Sequence, residues 1–315
     1  MSDKGSVVLI GSRSTVSVMG FQALREIGIL IPLIITGDED PGVDDWRLSL
    51  GKAARDAGYS DGKNLLVLHD PHKPEVMERI KACHADLLLS LQWRRILRPP
   101  LLAVPRHGAV NLHNAPLPLL RGCDPFSWAI HDGLERMGVT FHQVVDEGVD
   151  SGPVLAQRLW PLTAASTAWQ IYLESLREAE LLMRQSLAAI VAGQLSPLPQ
   201  EPRYASYHPM GQFRFKPLEV NWGLPAVTLS SELRARIFPP FQLPFFQWNG
   251  RRVEVLECHA VRIRAVAGEV LAINPLQIGA KPGAIELKTV RLDGKEMSGG
   301  EFASLGGLRI GHSMV

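Results

Sequence analysis

The chain has 315 residues, with 33 Lys and Arg against 32 Asp and Glu, a formal net charge of +1 and 46% hydrophobic residues. That is length enough for two domains and the composition of a globular protein, and a near-zero charge balance leaves no global basic field of the sort nucleic-acid binders use. No run approaches the ~20 apolar residues of a membrane span. Cys83, Cys123 and Cys258 form neither an even disulfide set nor a Cys-x-x-Cys pair, and the ten histidines show no His-x-x-x-His spacing, so no metal is expected. The polar start Met1-Ser-Asp-Lys-Gly-Ser6 does not read as a secretion or transit signal; a cytoplasmic location is the expectation.

The first elements alternate. Val7 to Gly11 is a short apolar strand, Val16 to Ile27 has helical periodicity ended by Gly28, and Ile29 to Thr36 is a second buried strand. Helical patterns follow at Asp44 to Ala57 and Pro74 to Cys83, with strands at Leu65 to Leu68 and Asp86 to Ser90. This order predicts a parallel sheet with crossover helices. The first turn, Gly11-Ser-Arg-Ser-Thr-Val16, lacks the Gly-x-Gly-x-x-Gly fingerprint that lets backbone approach a pyrophosphate, so the Rossmann-like architecture is expected without NAD.

A strand from Ala109 to Leu112 runs into the proline-stiffened loop His113-Asn-Ala-Pro-Leu-Pro-Leu-Leu-Arg-Gly122. Residues i and i+2 of a strand share a face, so Asn111 and His113 can converge while Leu112 faces the core. Past another apolar stretch, Gly138 to Val145, and the turn Asp146-Glu-Gly148, Asp150 can be carried back beside them. By spacing alone the pair fits a turn-former beside a satisfied histidine, and Asp-Ser-Gly a routine turn. The same three side chains also suit acyl transfer. An amide N–H₂ can hold a developing oxyanion at a gain of ~3 kcal/mol. An imidazole can shuttle protons near neutral pH, and a carboxylate can fix its tautomer.

Downstream, Pro153 to Leu159 reads as a strand and Ala168 to Ala192 as a long helix before Gly193. Residues 194–220 are rich in Pro, Ser and Tyr and read as a linker. A helix at Ala226 to Ile237 precedes short alternating strands at Arg252 to Leu256, Val261 to Ile263, Val270 to Ile273, Ile285 to Val290 and Leu308 to Ile310. Turn signals between them fit a small antiparallel barrel. The expected fold is therefore α/β: a Rossmann-like, mostly parallel N-terminal domain over 1–193, the linker over 194–220, and an OB-like antiparallel β-barrel over 221–315.

The stretch from Asn111 to Leu155 resembles the 10-formyltetrahydrofolate-dependent formyltransferases, which include methionyl-tRNA formyltransferase and the amino-sugar formyltransferases. Four blocks carry the resemblance in order: Asn111-x-His113, Leu117-Pro118 with Arg121-Gly122, Gly138-Val139-Thr140, and Asp150-x-Gly152. The late Gly-Gly-Leu-Arg-Ile-Gly311 resembles the C-terminal barrel of the tRNA-directed members. The resemblance implies that Asn111, His113 and Asp150 are catalytic and that 10-formyltetrahydrofolate is the co-substrate, with no metal. It also implies that Leu91, Gln92, Trp93, Arg94 and Leu97 offer backbone groups and a slot to the pterin. Ligands of open α/β sheets sit beyond the carboxyl ends of the strands, which adds the loop around Asp146 and Gly148.

On the acceptor side stand Arg121, Asp124 and Asn114. Arg121 suits either an anion or a bracing role on the loop. Cys123 reads as pocket lining, since an amine can attack without a covalent enzyme intermediate. The apolar Leu119-Leu120, the added acid Asp124 and the acidic segment Gly37-Asp-Glu-Asp-Pro-Gly-Val-Asp-Asp-Trp46 depart from the basic pattern expected for tRNA. A small amine acceptor is therefore expected: an amino-deoxy nucleotide sugar or an N-hydroxyornithine-type siderophore precursor. Methionyl-tRNA stands as the first alternative and hydrolysis of the formylated folate as the second. No membrane partner is expected, and the sequence leaves the oligomeric state open.

Overall fold

The computed structural model describes residues 4–37, 47–211 and 219–314. The chain forms two compact units. One gathers the described residues of Met1–Pro125, Arg136–Trp160 and Leu173–Pro209, and the other those of Phe126–Glu135, Pro161–Tyr172 and Met210–Val315.

The first unit is built on strands β1 (Ser6–Gly11), β2 (Leu30–Thr36), β3 (Leu65–Val67), β4 (Leu87–Leu91), β5 (Ala109–His113), the short β6 (Arg121–Gly122), β7 (Arg136–Val144), β8 (Val154–Pro161) and the short β9 (Tyr207–His208). A seven-stranded sheet runs in the order β3-β2-β1-β4-β5-β7-β8. β3, β2, β1, β4 and β5 are mutually parallel, and β7 is antiparallel to β5. The apolar runs become strands because both sheet faces are covered: Val7 to Ile10 and Leu87 to Leu89 are almost wholly buried. Helix Thr15–Glu26, capped by Ser14, packs so tightly on β4 that a methyl group at Gly20 would meet the Leu91 side chain.

The expected helix from Asp44 is shorter in the structure. It runs Leu50–Asp56, and its start is set by the Ser49 side chain, which accepts the Lys52 N–H at 3.0 Å; a side chain that bonds this way fixes the first helical residue. Residues 38–46, which carry the acidic segment, lie outside the described residues.

The second unit carries an antiparallel, curled half-barrel of six strands: β10 (Phe245–Trp248), β11 (Arg251–Val261), β12 (Val270–Ile273), β13 (Leu276–Gly279), β14 (Ala284–Leu292) and β15 (Lys295–Ser298). The strand path is β10-β11-β14-β13-β12, with β15 on β14. Phe246, Val255, Ile278, Ile285 and Phe302 fill its core. Two expected strands are corrected. Val261 closes the long bulged β11, so Val261 to Ile263 is not a strand of its own. Leu308 to Ile310 is not extended in a sheet either: it follows helix Gly299–Leu305, and the Leu308 N–H bonds back to the Ala303 carbonyl at 2.9 Å, as at a helix C-terminus. That helix is started by a capping box between Ser298 and Glu301. Among the described residues no helix is long and apolar enough to cross a membrane.

Candidate active site

The site forms at the carboxyl end of β5. Asn111 and His113 share one face of the strand, while Leu112 between them is 1% exposed in the core. Asp150 arrives from the turn after β7 with a left-handed backbone, φ 50°. A non-glycine residue in this region costs on the order of 1–2 kcal/mol, so the surroundings must hold it there. Its side chain is 13% exposed and meets four groups. Oδ2 accepts the Gly122 N–H at 2.9 Å and lies 3.4 Å from His113 Nδ1. Oδ1 lies 3.3 Å from His142 Nε2 and accepts from Asn111 Nδ2 at 3.5 Å.

Burial of Asp150 pushes its carboxyl upward. The adjoining His113, the hydrogen bond and charge of His142 and the Gly122 amide outweigh that and hold it well below the ordinary carboxylate range. Asp150 is thus a buried anion within a shell of donors.

His113 itself is 7% exposed. Its Nε2 is 2.8 Å from the Leu120 carbonyl, opposite the nitrogen that faces Asp150. Both neighbours are pure acceptors, and a neutral imidazole carries one N–H. The neutral ring can therefore donate to only one of these two acceptors at a time.

The four sequence blocks have separate physical reasons. Gly122 holds φ 94°, and a Cβ there would stand 2.3 Å from the His208 carbonyl, because β6 lies directly against β9. Gly138 lets β7 pass under the Pro116 backbone, 2.9 Å from where a Cβ would be. Thr140 then donates its hydroxyl to the Ala115 carbonyl at 2.7 Å and ties the signature loop to β7. Gly152 lies so close to Gln143 that a Cβ would fall 1.9 Å from its carbonyl oxygen.

Of the residues expected to meet the pterin, Leu91 and Leu97 are buried in the core, and the Leu91 carbonyl already accepts from the Ser17 hydroxyl at 2.7 Å. Gln92 turns the chain out of β4 with φ 57°, and Arg94 is exposed. The Trp93 indole N–H is buried without a hydrogen-bond partner among the described residues. Asp146 accepts the Gly148 N–H at 2.7 Å in a local turn beside the site.

Of the residues expected to meet the acceptor, Asn114 is 6% exposed and its Oδ1 has no partner among the described residues. Asp124 holds φ 55°, makes no ion pair among the described residues, and its carboxyl is pushed up by burial. The Arg121 guanidinium donates to Gln200 Oε1 at 3.0 and 2.7 Å. The Cys123 thiol is pushed up by burial and by the neighbouring Asp124 and Asp150, which disfavours a thiolate nucleophile.

Sequence reasoning missed two side chains. His142 stands directly across from Asn111 in the β5–β7 register, is 2% exposed, and has Nε2 3.2 Å from the Asn111 amide. Alternation in β7 puts Thr140 and His142 on one face, a signal that was available once β7 was known to pair with β5. Gln200 lies in the stretch read as a linker and had no such signal.

Comparison with known proteins bears on this arrangement. The family model for formyl transferase matches residues 60–186, and that for the formyl transferase C-terminal domain matches residues 216–305. The chain belongs to the formyltransferase family. Among solved structures, this formyltransferase is similar to WlaRD, a sugar 3N-formyl transferase determined in the presence of dTDP and 5-N-formyl-THF. The TM-score is 0.70 at 19% identity, over 93% of this chain and 99% of that one. It is also similar to an N-formyltransferase from Helicobacter canadensis in complex with folinic acid and dTDP-3-aminofucose, with TM-score 0.68, 19% identity and coverage of 89% and 98%. HypX from Aquifex aeolicus, in complex with tetrahydrofolic acid, matches 95% of this formyltransferase but 47% of its own chain, at TM-score 0.58 and 17% identity. At these identities the likeness is one of fold.

Proposed function

We propose that the protein transfers the formyl group of 10-formyltetrahydrofolate to the amine or hydroxylamine nitrogen of a small metabolite. The observation that carries this is the convergence of Asn111, His113 and His142 on the single buried carboxylate of Asp150 at the mouth of β5. The folate-containing relatives support the donor, and the buried, unpartnered Trp93 N–H in the segment after β4 fits a flat heteroaromatic with ring acceptors. Gln92, Trp93 and Arg94 would hold the pterin, with Leu91 and Leu97 as the apolar floor and the Asp146 to Gly148 turn at the side.

The folate supplies an activated formyl carbon and an N10 leaving group. Asn111 Nδ2 stabilises the oxyanion as the amine lone pair adds to that carbon. With Nδ1–H held by Asp150, His113 Nε2 takes the proton lost by the amine on turning from the Leu120 carbonyl and returns it to N10 as the C–N10 bond breaks, so no covalent enzyme intermediate is needed. Asp150 keeps the ring oriented and matches the charge it acquires.

Two observations bear on the acceptor. A similar sugar 3N-formyl transferase determined with dTDP, and a similar N-formyltransferase in complex with dTDP-3-aminofucose, support an amino-deoxy nucleotide sugar. Asn114 Oδ1 and the Asp124 carboxylate, neither paired among the described residues, favour an acceptor that brings N–H donors or a positive charge; N-hydroxyornithine has both. Incubation with 10-formyltetrahydrofolate and, separately, dTDP-3-aminofucose, N-hydroxyornithine and methionyl-tRNA, with mass detection of a product heavier by one formyl group, tests the proposal. Tetrahydrofolate release without acceptor, and no adduct in any arm, would turn it into hydrolysis. With the accepted amine in hand, Asp124→Ala should raise its KM several-fold while leaving the folate KM unchanged. An unmoved amine KM removes Asp124 from the acceptor site.

A further inference from the structure

Asp150 takes a left-handed backbone without the freedom of a glycine, and what grips that backbone lies 50 residues downstream. Gln200 Nε2 donates to the Asp150 carbonyl at 2.8 Å and to the Gly152 carbonyl at 2.7 Å. Its Oε1 accepts both contacts from the Arg121 guanidinium. The amide thus uses both N–H groups and both lone pairs, a fully satisfied node that joins the Asp150 turn to the Arg121-Gly122 strand. Gly122 in turn donates to the Asp150 carboxylate, so the same node fixes both ends of the residue facing His113. Backbone bonds anchor the Gln200 segment independently. Val154 and Leu198 exchange both N–H···O bonds at 2.8 Å, and Ser206 accepts from Leu120 N–H at its hydroxyl and from Arg121 N–H at its carbonyl. Removing the Gln200 amide therefore leaves the segment attached.

We infer that Gln200 is a positioning residue for the formyl transfer proposed above: by donating to the Asp150 and Gly152 carbonyls it aims the Asp150 carboxylate at His113. The inference rests on that functional reading for its kinetic consequence, though not for its geometric one. Gln200→Glu separates the roles, since it keeps the size and an acceptor for Arg121 but replaces the two-fold donor with an acceptor. Gln200→Ala removes both.

Kinetics with 10-formyltetrahydrofolate and the accepted amine should show kcat lower by about 10- to 100-fold in both variants, the range expected when a reacting group is displaced by about an ångström. Both KM values should stay within about threefold and the Tm of Gln200→Glu near that of the wild type. Wild-type kcat in Gln200→Glu overturns the inference, as does loss of Tm in both variants with unchanged kcat. A second measurement needs no turnover: ¹H–¹⁵N spectra of the His113 imidazole in the ligand-free protein, assigned with His113→Asn. Displaced His113 ring signals in Gln200→Glu support the inference even if the wild type proves not to transfer formyl groups, which would be a failure of the functional reading alone. Unmoved ring signals overturn it.

Discussion

Asp150→Asn is the most informative single substitution, because it preserves shape while removing charge. The carboxylate lies 3.4 Å from His113 Nδ1 in a setting only 13% exposed. At that separation and an effective dielectric of about 20, attraction between imidazolium and carboxylate is about 5 kcal/mol. If about half of the imidazolium charge has developed at the transition state, the variant loses about 2.5 kcal/mol, on the order of 10² in kcat. KM for folate should hardly change, since the charge acts on a species formed after binding. The same variant has a stability signature. Burial raises the Asp150 carboxyl, but His113, His142 and the Gly122 amide lower it further, so its folded value lies below the unfolded one. A depressed carboxylate contributes stability above the unfolded value of about 3.9, and that contribution drains as pH falls through the folded value. Urea denaturation of both proteins should give a gap that is level near neutral pH and shrinks below about pH 4. Tetrahydrofolate release with the accepted amine gives the kinetic half. A kcat within about threefold of wild type, or a stability gap indifferent to acid, refutes the role assigned to Asp150.

Two further substitutions probe the frame around it. Asn111→Ala removes the amide beside both His142 and Asp150; kcat should fall by about 10²–10³, the usual cost of an oxyanion donor, with circular dichroism unchanged, and a loss confined to folate KM would reassign Asn111 to binding. Gly152→Ala puts a methyl group 1.9 Å from the Gln143 carbonyl oxygen, so backbone must move: Tm should drop by several degrees together with kcat, and a neutral outcome would mean that the β7–Gly152 contact does not fix Asp150.

The parts of the site that were legible in the sequence are those that obey local periodicity. Asn111 and His113 share a face because strand alternation puts them there, and Gly28 and the buried runs around Val7 and Leu33 announce the parallel sheet in the same local way. The turn after Val145 could carry Asp150 back beside Asn111 and His113, but it was the order of four blocks that singled it out, since nothing in a turn sequence says where its carboxylate points. His142 depends on β7 running antiparallel to an otherwise parallel sheet, which sets it opposite Asn111; that direction is a property of the topology. The helix Gly299–Leu305 was hidden behind its two leading glycines, although Ser298 and Glu301 spell out its cap. Most hidden of all were the backbone partners. His113 leans on the Leu120 carbonyl, Asp150 on the Gly122 amide, and Gln200 on two carbonyls, groups every residue possesses and no composition reveals. They become specific because Leu120, Gly122 and Asp150 all take left-handed backbone angles, φ 58°, 94° and 50°, which turn peptide groups toward the side chains instead of along a ladder. The Arg-Gly and Asp-x-Gly blocks thus specify an orientation of peptide groups as much as a set of side chains. Grafting Asn111, His113 and Asp150 onto another strand-turn scaffold without those three backbone angles should accordingly leave His113 without its second acceptor and Asp150 without its Gly122 amide.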